Sequence, residues 1–239
     1  MPDFNTFETK IGYTFKDKRL IEQAFTHRSY LNENRSVGRL GREGPGRAGE
    51  HNERLEFLGD AVLELAVTEF LFAKYPEKPE GELTAYRAAL VNTISISDAA
   101  TKLGMNDYLL LSRGEARDTG RARQIILANA FEALIGAIYL DSGYTRAKEF
   151  IAAQLFHKTE DVVAKRLWQD AKSKFQEISQ EKEGITPGYQ LLDQSGPDHD
   201  KVFVVGAFIG GQKIAIGEGR SKQEAEQDAA QKALLAKGW

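Results

Sequence analysis

Three carboxylates stand close together in the run Asn52-Glu53-Arg54-Leu55-Glu56-Phe57-Leu58-Gly59-Asp60. On a helix of about 3.6 residues per turn, spacings of three and seven put Glu53, Glu56 and Asp60 on one face. Like charges so placed repel, and a chain that keeps them neutralises them with a cation, an arginine or a substrate. A second acidic source is Asn129-Ala130-Phe131-Glu132, where Asn129 and Glu132 are helix-face neighbours, and a third is Glu80 in Pro79-Glu80-Gly81-Glu82. Oxygen donors without cysteine and with little histidine suit a hard cation, Mg²⁺ or Mn²⁺. Such an ion serves phosphoryl chemistry by polarising the phosphate and stabilising the leaving oxygen. Two other readings compete: solvated helix acids in which Glu53 pairs with Arg54 or Arg87, and a carboxylate pair working as the acid and base of a glycosidase.

The elements that must carry these residues follow from periodicity. Glu53 to Lys74 reads as a helix with Leu55, Leu58, Val62, Leu65 and Ala66 on one apolar face. The carboxylates lie roughly opposite. Phe57 points to their side, away from the core stripe, where an aromatic calls for a partner surface. Two short helices are expected within residues 6–31, and further helices over Thr84–Leu103, Arg123–Asp141 and Tyr144–Lys165. Asn32 to Asn52, rich in glycine and arginine, has no periodicity and reads as a surface loop. The first 165 residues are thus expected to be essentially all helix.

The texture changes after Trp168. A helix over Asp170–Glu183 precedes three strands, Tyr189–Gln194, Val202–Ile209 and Lys213–Glu218, with Gly210-Gly211 as a tight hairpin. An alanine-rich helix, Ser221–Lys237, closes the chain. The expected fold class is therefore multi-domain: an all-α unit, 1–165, followed by a small α+β (α-β-β-β-α) unit, 169–239, with a linker near Lys165–Trp168. In the second unit Ser221 reads as an N-cap, and the free N–H groups beside it, with Lys222, suit a phosphate. Gln176 and Gln180 are an i,i+4 pair on the preceding helix, and His199 lies in the loop between the first two strands. These groups can meet one elongated ligand; singly, each reads as a cap, a solvated glutamine or a loop histidine.

Bulk composition narrows the classes. The net charge is -3, and residues 168–239 hold nine lysines and arginines against eleven aspartates and glutamates. Bulk positive charge therefore cannot carry nucleic-acid binding; few phosphate contacts and a shallow salt slope are expected. Cysteine is absent, which excludes disulfides, thiolate metal sites and a cysteine nucleophile and fits a reducing cytoplasm. No apolar run reads as long enough to cross a bilayer, so no membrane partner is expected.

The Asn52–Asp60 run with Ala61-Val62-Leu63, the segment Thr26-His27-Arg28-Ser29 and the segment Phe131–Gly136 resemble bacterial ribonuclease III. The C-terminal unit resembles a double-stranded-RNA-binding domain. The resemblance spans nearly the whole chain, in the family's domain order. It implies a homodimeric, Mg²⁺-dependent endonuclease that cuts double-stranded RNA, including ribosomal and messenger precursors, to 5′-phosphate and 3′-hydroxyl ends. It implies that Glu56, Asp60, Asn129 and Glu132 form the metal site, Asp60 and Glu132 being foremost in catalysis, with Glu53 and Glu80 completing the acidic cluster. It places Phe57 in the partner subunit, and Arg113, Gln176, Gln180, His199, Ser221 and Lys222 on RNA. Such domains read A-form shape across the minor groove.

Three departures accompany it. Asn129 stands where the family usually has aspartate, which removes one negative charge. Gln223 replaces a second lysine after Ser221-Lys222. The Asn32–Asn52 loop is long. Asn129 leaves room for a rival, a non-catalytic double-stranded-RNA-binding protein with the same fold; a hydrolase of a small substrate is a third reading.

Overall fold

A computed structural model describes residues 2–33, 50–164, 171–197 and 201–239. The chain divides into two compact units, Met1–Lys165 and Arg166–Trp239. The loop expected over Asn32–Asn52 and the linker expected at Lys165–Trp168 fall largely outside the described residues, as does His199.

The first unit is helical: α1 (Phe4–Ile11), α2 (Lys18–Ala24), α3 (Arg28–Glu33), α4 (Glu53–Lys74), α5 (Glu80–Leu90), α6 (Thr93–Lys102), α7 (Arg121–Leu155) and α8 (Thr159–Ala164). Among the described residues three short helices, not the two expected within residues 6–31, precede the acidic run. Asp3 and Asp17 cap the first two through their carboxylates. The segment expected as one helix over Thr84–Leu103 is two. Val91 closes the first, and Asn92 caps the second, accepting a hydrogen bond from the Ser95 N–H at 2.9 Å.

α4 and α7 form the centre. Leu55, Val62, Leu63, Ala66, Val67 and Leu71 of α4 are buried, as are Leu127, Phe131, Leu134, Ile135 and Ile138 of α7. Leu65, expected on the core face, is half exposed, while Leu63 and Val67 are buried instead. α4 is covered by several neighbours, chiefly α7 with α5 and α2, so its buried arc is broader than a single stripe and rotated from it. Two glycines set the approach of the central pair. A Cβ on Gly59 would lie 1.8 Å from the Glu132 carbonyl oxygen, and one on Gly136 would lie 2.3 Å from that of Leu55. The backbones therefore touch where only glycine fits.

At Gly143, φ is 80° and ψ -179°, which breaks α7 at the point where glycine was expected to punctuate the helices. The stretch Arg121–Ala164 is, among the described residues, long and apolar enough to cross a membrane, contrary to the expectation from the sequence, and 61% of its most apolar window is buried within the protein. It serves as the core helix of the unit, apolar on most sides because it is surrounded.

The second unit runs α9 (Ala171–Glu183), β1 (Gly188–Ser195), β2 (Val202–Ile209), β3 (Gln212–Gly219) and α10 (Lys222–Lys237). The sheet is antiparallel in the order β1-β2-β3. Gly210 and Gly211 both have positive φ, 55° and 83°, as a two-residue turn matched to strand twist requires. Phe175, Ala207, Ile209, Ala229, Ala230, Ala233 and Leu234 make the core. A Cβ on Gly217 would lie 2.1 Å from the Ala229 nitrogen, so α10 lies directly on β3. That contact explains the helix's wealth of alanine.

Candidate acidic nuclease site and RNA-facing surfaces

The start of α4 is pinned before its carboxylates begin. Asn52 is buried; its N–H donates to the Thr26 carbonyl at 2.9 Å and its side-chain amide to the Ala24 carbonyl at 3.4 Å. Glu53 is exposed and meets Arg28 at 3.5 Å and His51 at 3.7 Å, not Arg54 or Arg87. One turn on, Glu56 is half-buried; burial and the charges of Glu53 and Asp60 hold its pKa above the ordinary value, and the Asn129 side chain beside it offsets part of that rise. Asp60 follows Gly59, whose backbone abuts that of Glu132.

Glu132 is the most perturbed member. Burial first, then the charges of Asp60, Glu56 and Glu64, push its pKa from 4.5 up to about 8. The α4–α7 crossing therefore gathers Glu56, Asp60, Asn129 and Glu132 into one electrostatic group. Among the described residues no three histidine, aspartate or glutamate side chains close into a cage around an ion. The side chains present, three carboxylates and one amide, offer oxygen donors, the type a hard cation takes. A divalent cation fits them chemically. All donors are oxygen, and a positive charge would offset the burial and the neighbouring negative charges that together make Glu132 retain a proton.

Glu64 is a neighbour that the sequence reading missed. It lies four residues beyond Asp60, and the run Glu56, Asp60, Glu64 at steps of four was its signal. Arg87 of α5 pairs with it at 2.8 Å. Glu80 stands at the first position of α5, exposed, its carboxylate accepting from the Thr84 hydroxyl at 2.9 Å. That is a local bond, and no contact recorded in the structure joins Glu80 to Glu132.

Arg113 lies on a loop tied to the strip Thr26–Ser29. His27 N–H donates to the Leu110 carbonyl at 3.0 Å, and Ser112 N–H to the Ser29 hydroxyl at 3.1 Å. Glu33 accepts from the Arg113 backbone N–H at 2.9 Å, while the Arg113 side chain is 92% exposed. Phe57 is 82% exposed and shares an outer strip of α4 with Leu65 and Phe72.

In the second unit, Gln176 and Gln180 are exposed and line one shallow groove along α9 with Ser173, Glu177 and Glu181. Gln180 accepts from the Thr186 hydroxyl at 3.0 Å. Ser221 caps α10, accepting from the Glu224 N–H at 3.1 Å, and Glu224 reaches back to the Arg220 N–H at 3.0 Å, a reciprocal capping arrangement. Lys222 is exposed beside it.

Comparison with known proteins covers both units. The family described as ribonuclease-III-like matches residues 17–159, and the double-stranded RNA binding motif matches residues 171–236. A protein named Ribonuclease 3 from Protochlamydia amoebophila is 44% identical, covering 95% of this chain and 89% of its own length. Its namesake from Geobacillus kaustophilus is 45% identical over 97% and 89%. Among solved structures, the nuclease domain of ribonuclease III from Campylobacter jejuni aligns with a TM-score of 0.53 at 38% identity, covering 64% of this chain and 98% of that one; its description mentions a region involved in dimer formation.

Proposed function

The chain belongs to the ribonuclease III family and is an endoribonuclease of double-stranded RNA, and from that premise we propose how its residues divide the work. Glu56, Asp60, Asn129 and Glu132 hold a divalent cation, Mg²⁺ in the cell with Mn²⁺ able to replace it. The observation that carries this assignment is the Gly59–Gly136 crossing, which sets Asp60 and Glu56 against the proton-retaining Glu132. When bound, such a cation supplies charge stabilisation to the phosphodiester and its leaving oxygen.

The protein's own groups do the rest. Asn129 stands beside the Glu56 carboxylate and favours its charged form. Asp60 and Glu132 present the foremost negative charge, with Glu132 able to release a proton as a cation arrives. Glu53 and Glu80 extend the acidic field along the edge of the unit. No side chain forms a covalent bond with the substrate, and the products carry 5′-phosphate and 3′-hydroxyl ends.

The exposed strip of Phe57, Leu65 and Phe72 supports a homodimer in which Phe57 enters the partner, placing one acidic site toward each strand of a duplex. Gln176 and Gln180 on α9, the Ser221–Lys222 corner, His199 and Arg113 contact the RNA. The non-catalytic alternative gains no support from the comparisons. We place the activity in the cytoplasm, on ribosomal and messenger precursors, in keeping with the cysteine-free composition.

The test is Glu132→Gln with long duplex RNA and Mg²⁺. Cleavage is expected to vanish while duplex binding persists. Undiminished cleavage by the pure variant removes Glu132, and with it the proposed ion site.

A further inference from the structure

α5 is attached to the acidic unit in two ways. Its apolar side is anchored by Tyr86 and Leu90, both buried, with the Tyr86 ring 5.6 Å from that of Tyr75. Its polar side carries a fork. Arg87 Nε meets Glu64 at 2.8 Å, and Arg87 Nη1 donates to the Thr68 hydroxyl at 2.9 Å. That hydroxyl in turn donates to the Glu64 carbonyl at 2.7 Å, so its lone pairs are turned toward Arg87. Glu64 and Thr68 are one turn apart on α4, and Glu64 is one turn beyond Asp60.

The two attachments do different things. The buried Tyr86 and Leu90 set how deeply α5 sits. A planar guanidinium gripping two groups on a neighbouring helix sets the roll of α5 about its own axis, because a bidentate fork has a preferred plane. A helix transmits roll along its length. Seven residues, about two turns, before Arg87 on the same face stands Glu80, and Thr84 fixes the Glu80 carboxylate within the helix through a 2.9 Å hydrogen bond. Glu80 therefore shares the face of α5 that the fork turns toward α4.

We propose that Arg87 is a positioning residue of the nuclease site: by gripping Glu64 and Thr68 it fixes the roll of α5 and so the stance of Glu80 toward the carboxylates of α4. It also keeps Glu64 engaged on the far side of Asp60, so that this extra carboxylate does not swing into the ion's place. The inference rests on the cation-site reading above.

A purely structural ion pair of this exposure contributes little to stability. The positioning role instead predicts a large effect on the ion, since residues that orient metal-site groups typically change affinity or activity by about 10- to 100-fold. The experiment uses the full chain and the variants Arg87→Gln, Arg87→Lys and Thr68→Val. Four quantities are measured: calorimetric binding of Mn²⁺ to the RNA-free protein, single-turnover cleavage at saturating duplex with Mg²⁺, duplex affinity without cation, and thermal melting. Arg87→Gln is expected to weaken Mn²⁺ binding and slow cleavage by about 10- to 100-fold, leaving duplex affinity and melting nearly unchanged. Arg87→Lys recovers part of the loss, because an ammonium can meet Glu64 but cannot span the fork. Thr68→Val falls between them. Unchanged Mn²⁺ binding and cleavage in Arg87→Gln, or losses that merely follow its melting temperature, overturn the proposal. Glu132→Gln in the same assays separates the two levels. If it is inactive while Arg87→Gln behaves as wild type, only the role of Arg87 fails; if it cleaves normally, the site reading itself fails.

Discussion

Glu132 provides the most stringent test, because its proton makes a prediction for the protein without RNA. With its pKa raised from 4.5 to about 8, the group at pH 7 holds its proton in about ten molecules for each one that has lost it. A cation that takes the carboxylate must expel that proton. Binding of Mn²⁺ at pH 7 should therefore release close to one proton, and apparent affinity should rise about tenfold per pH step between 6 and 8 and then level off. The sign for stability follows from the same shift. A folded pKa above the unfolded one means that the stabilisation is fully present below pH 4.5 and is lost as pH rises through about 8. The ceiling on that loss, at 1.36 kcal/mol for each tenfold in proton affinity, is about 5 kcal/mol; rotation of the half-buried carboxylate toward water reduces it to about 2. For a unit of this size about 2 kcal/mol corresponds to roughly 4–8 °C in melting temperature. Calorimetry in two buffers of different ionisation heat counts the protons. Melting in EDTA at pH 5.5 and 8.5 reads the stability. Glu132→Gln should melt with much less dependence on pH and higher than wild type at pH 8.5. Mn²⁺ binding at pH 7 without proton release, together with equal pH dependence of melting in both proteins, would refute the reasoning.

Three further outcomes follow from single contacts. Gly59→Ala should gain about 1 kcal/mol in helix propensity and still destabilise the chain by a net of about 2 kcal/mol or more, because the new Cβ lands 1.8 Å from the Glu132 carbonyl oxygen; melting no lower than wild type contradicts the crossing. Phe57→Ala should leave the subunit folded, since that side chain is 82% exposed, yet raise the dimer dissociation constant about 30-fold or more; unchanged sedimentation equilibrium argues against its insertion. Asn129→Asp replaces a neutral neighbour that favours the charged form of Glu56 with a like charge, so metal-free melting should fall while Mg²⁺ binding tightens about tenfold, the equivalent of about 1.4 kcal/mol; weaker Mg²⁺ binding would show that the amide is the better partner at this position.

The carboxylates of the candidate site could be grouped from sequence because their spacing is local information. Glu53, Glu56 and Asp60 share a helix face by spacing alone, and Asn129 with Glu132 does the same. The two-glycine turn and the Ser221 cap were legible for the same reason. Periodicity misassigned α4 where the helix serves two surfaces at once. Phe57, Leu65 and Phe72 form an outer apolar strip, Leu63 and Val67 belong to the core, and a hydrophobic count cannot tell an inner contact from one awaiting a partner. The break between α5 and α6 carried a readable signal in Asn92, but without glycine or proline it passed for continuous helix.

What positions these carboxylates is long-range, and motif reading stops there. Gly59 looks like one letter of a signature until Gly136 is found against the same crossing, and its reason for being glycine is then the approach of two backbones. Glu64 looks like one more surface acid until Arg87, from a different helix, is found holding it. Each pairs residues far apart in sequence, so no window of spacing contains both partners. A motif can survive intact in a chain whose positioning contacts have been lost. Intact carboxylates therefore establish the capacity for chemistry, while the crossing and the fork decide whether the carboxylates meet one ion. Asn129 belongs beside them: its amide draws the Glu56 pKa down, and so offsets part of the charge it does not carry.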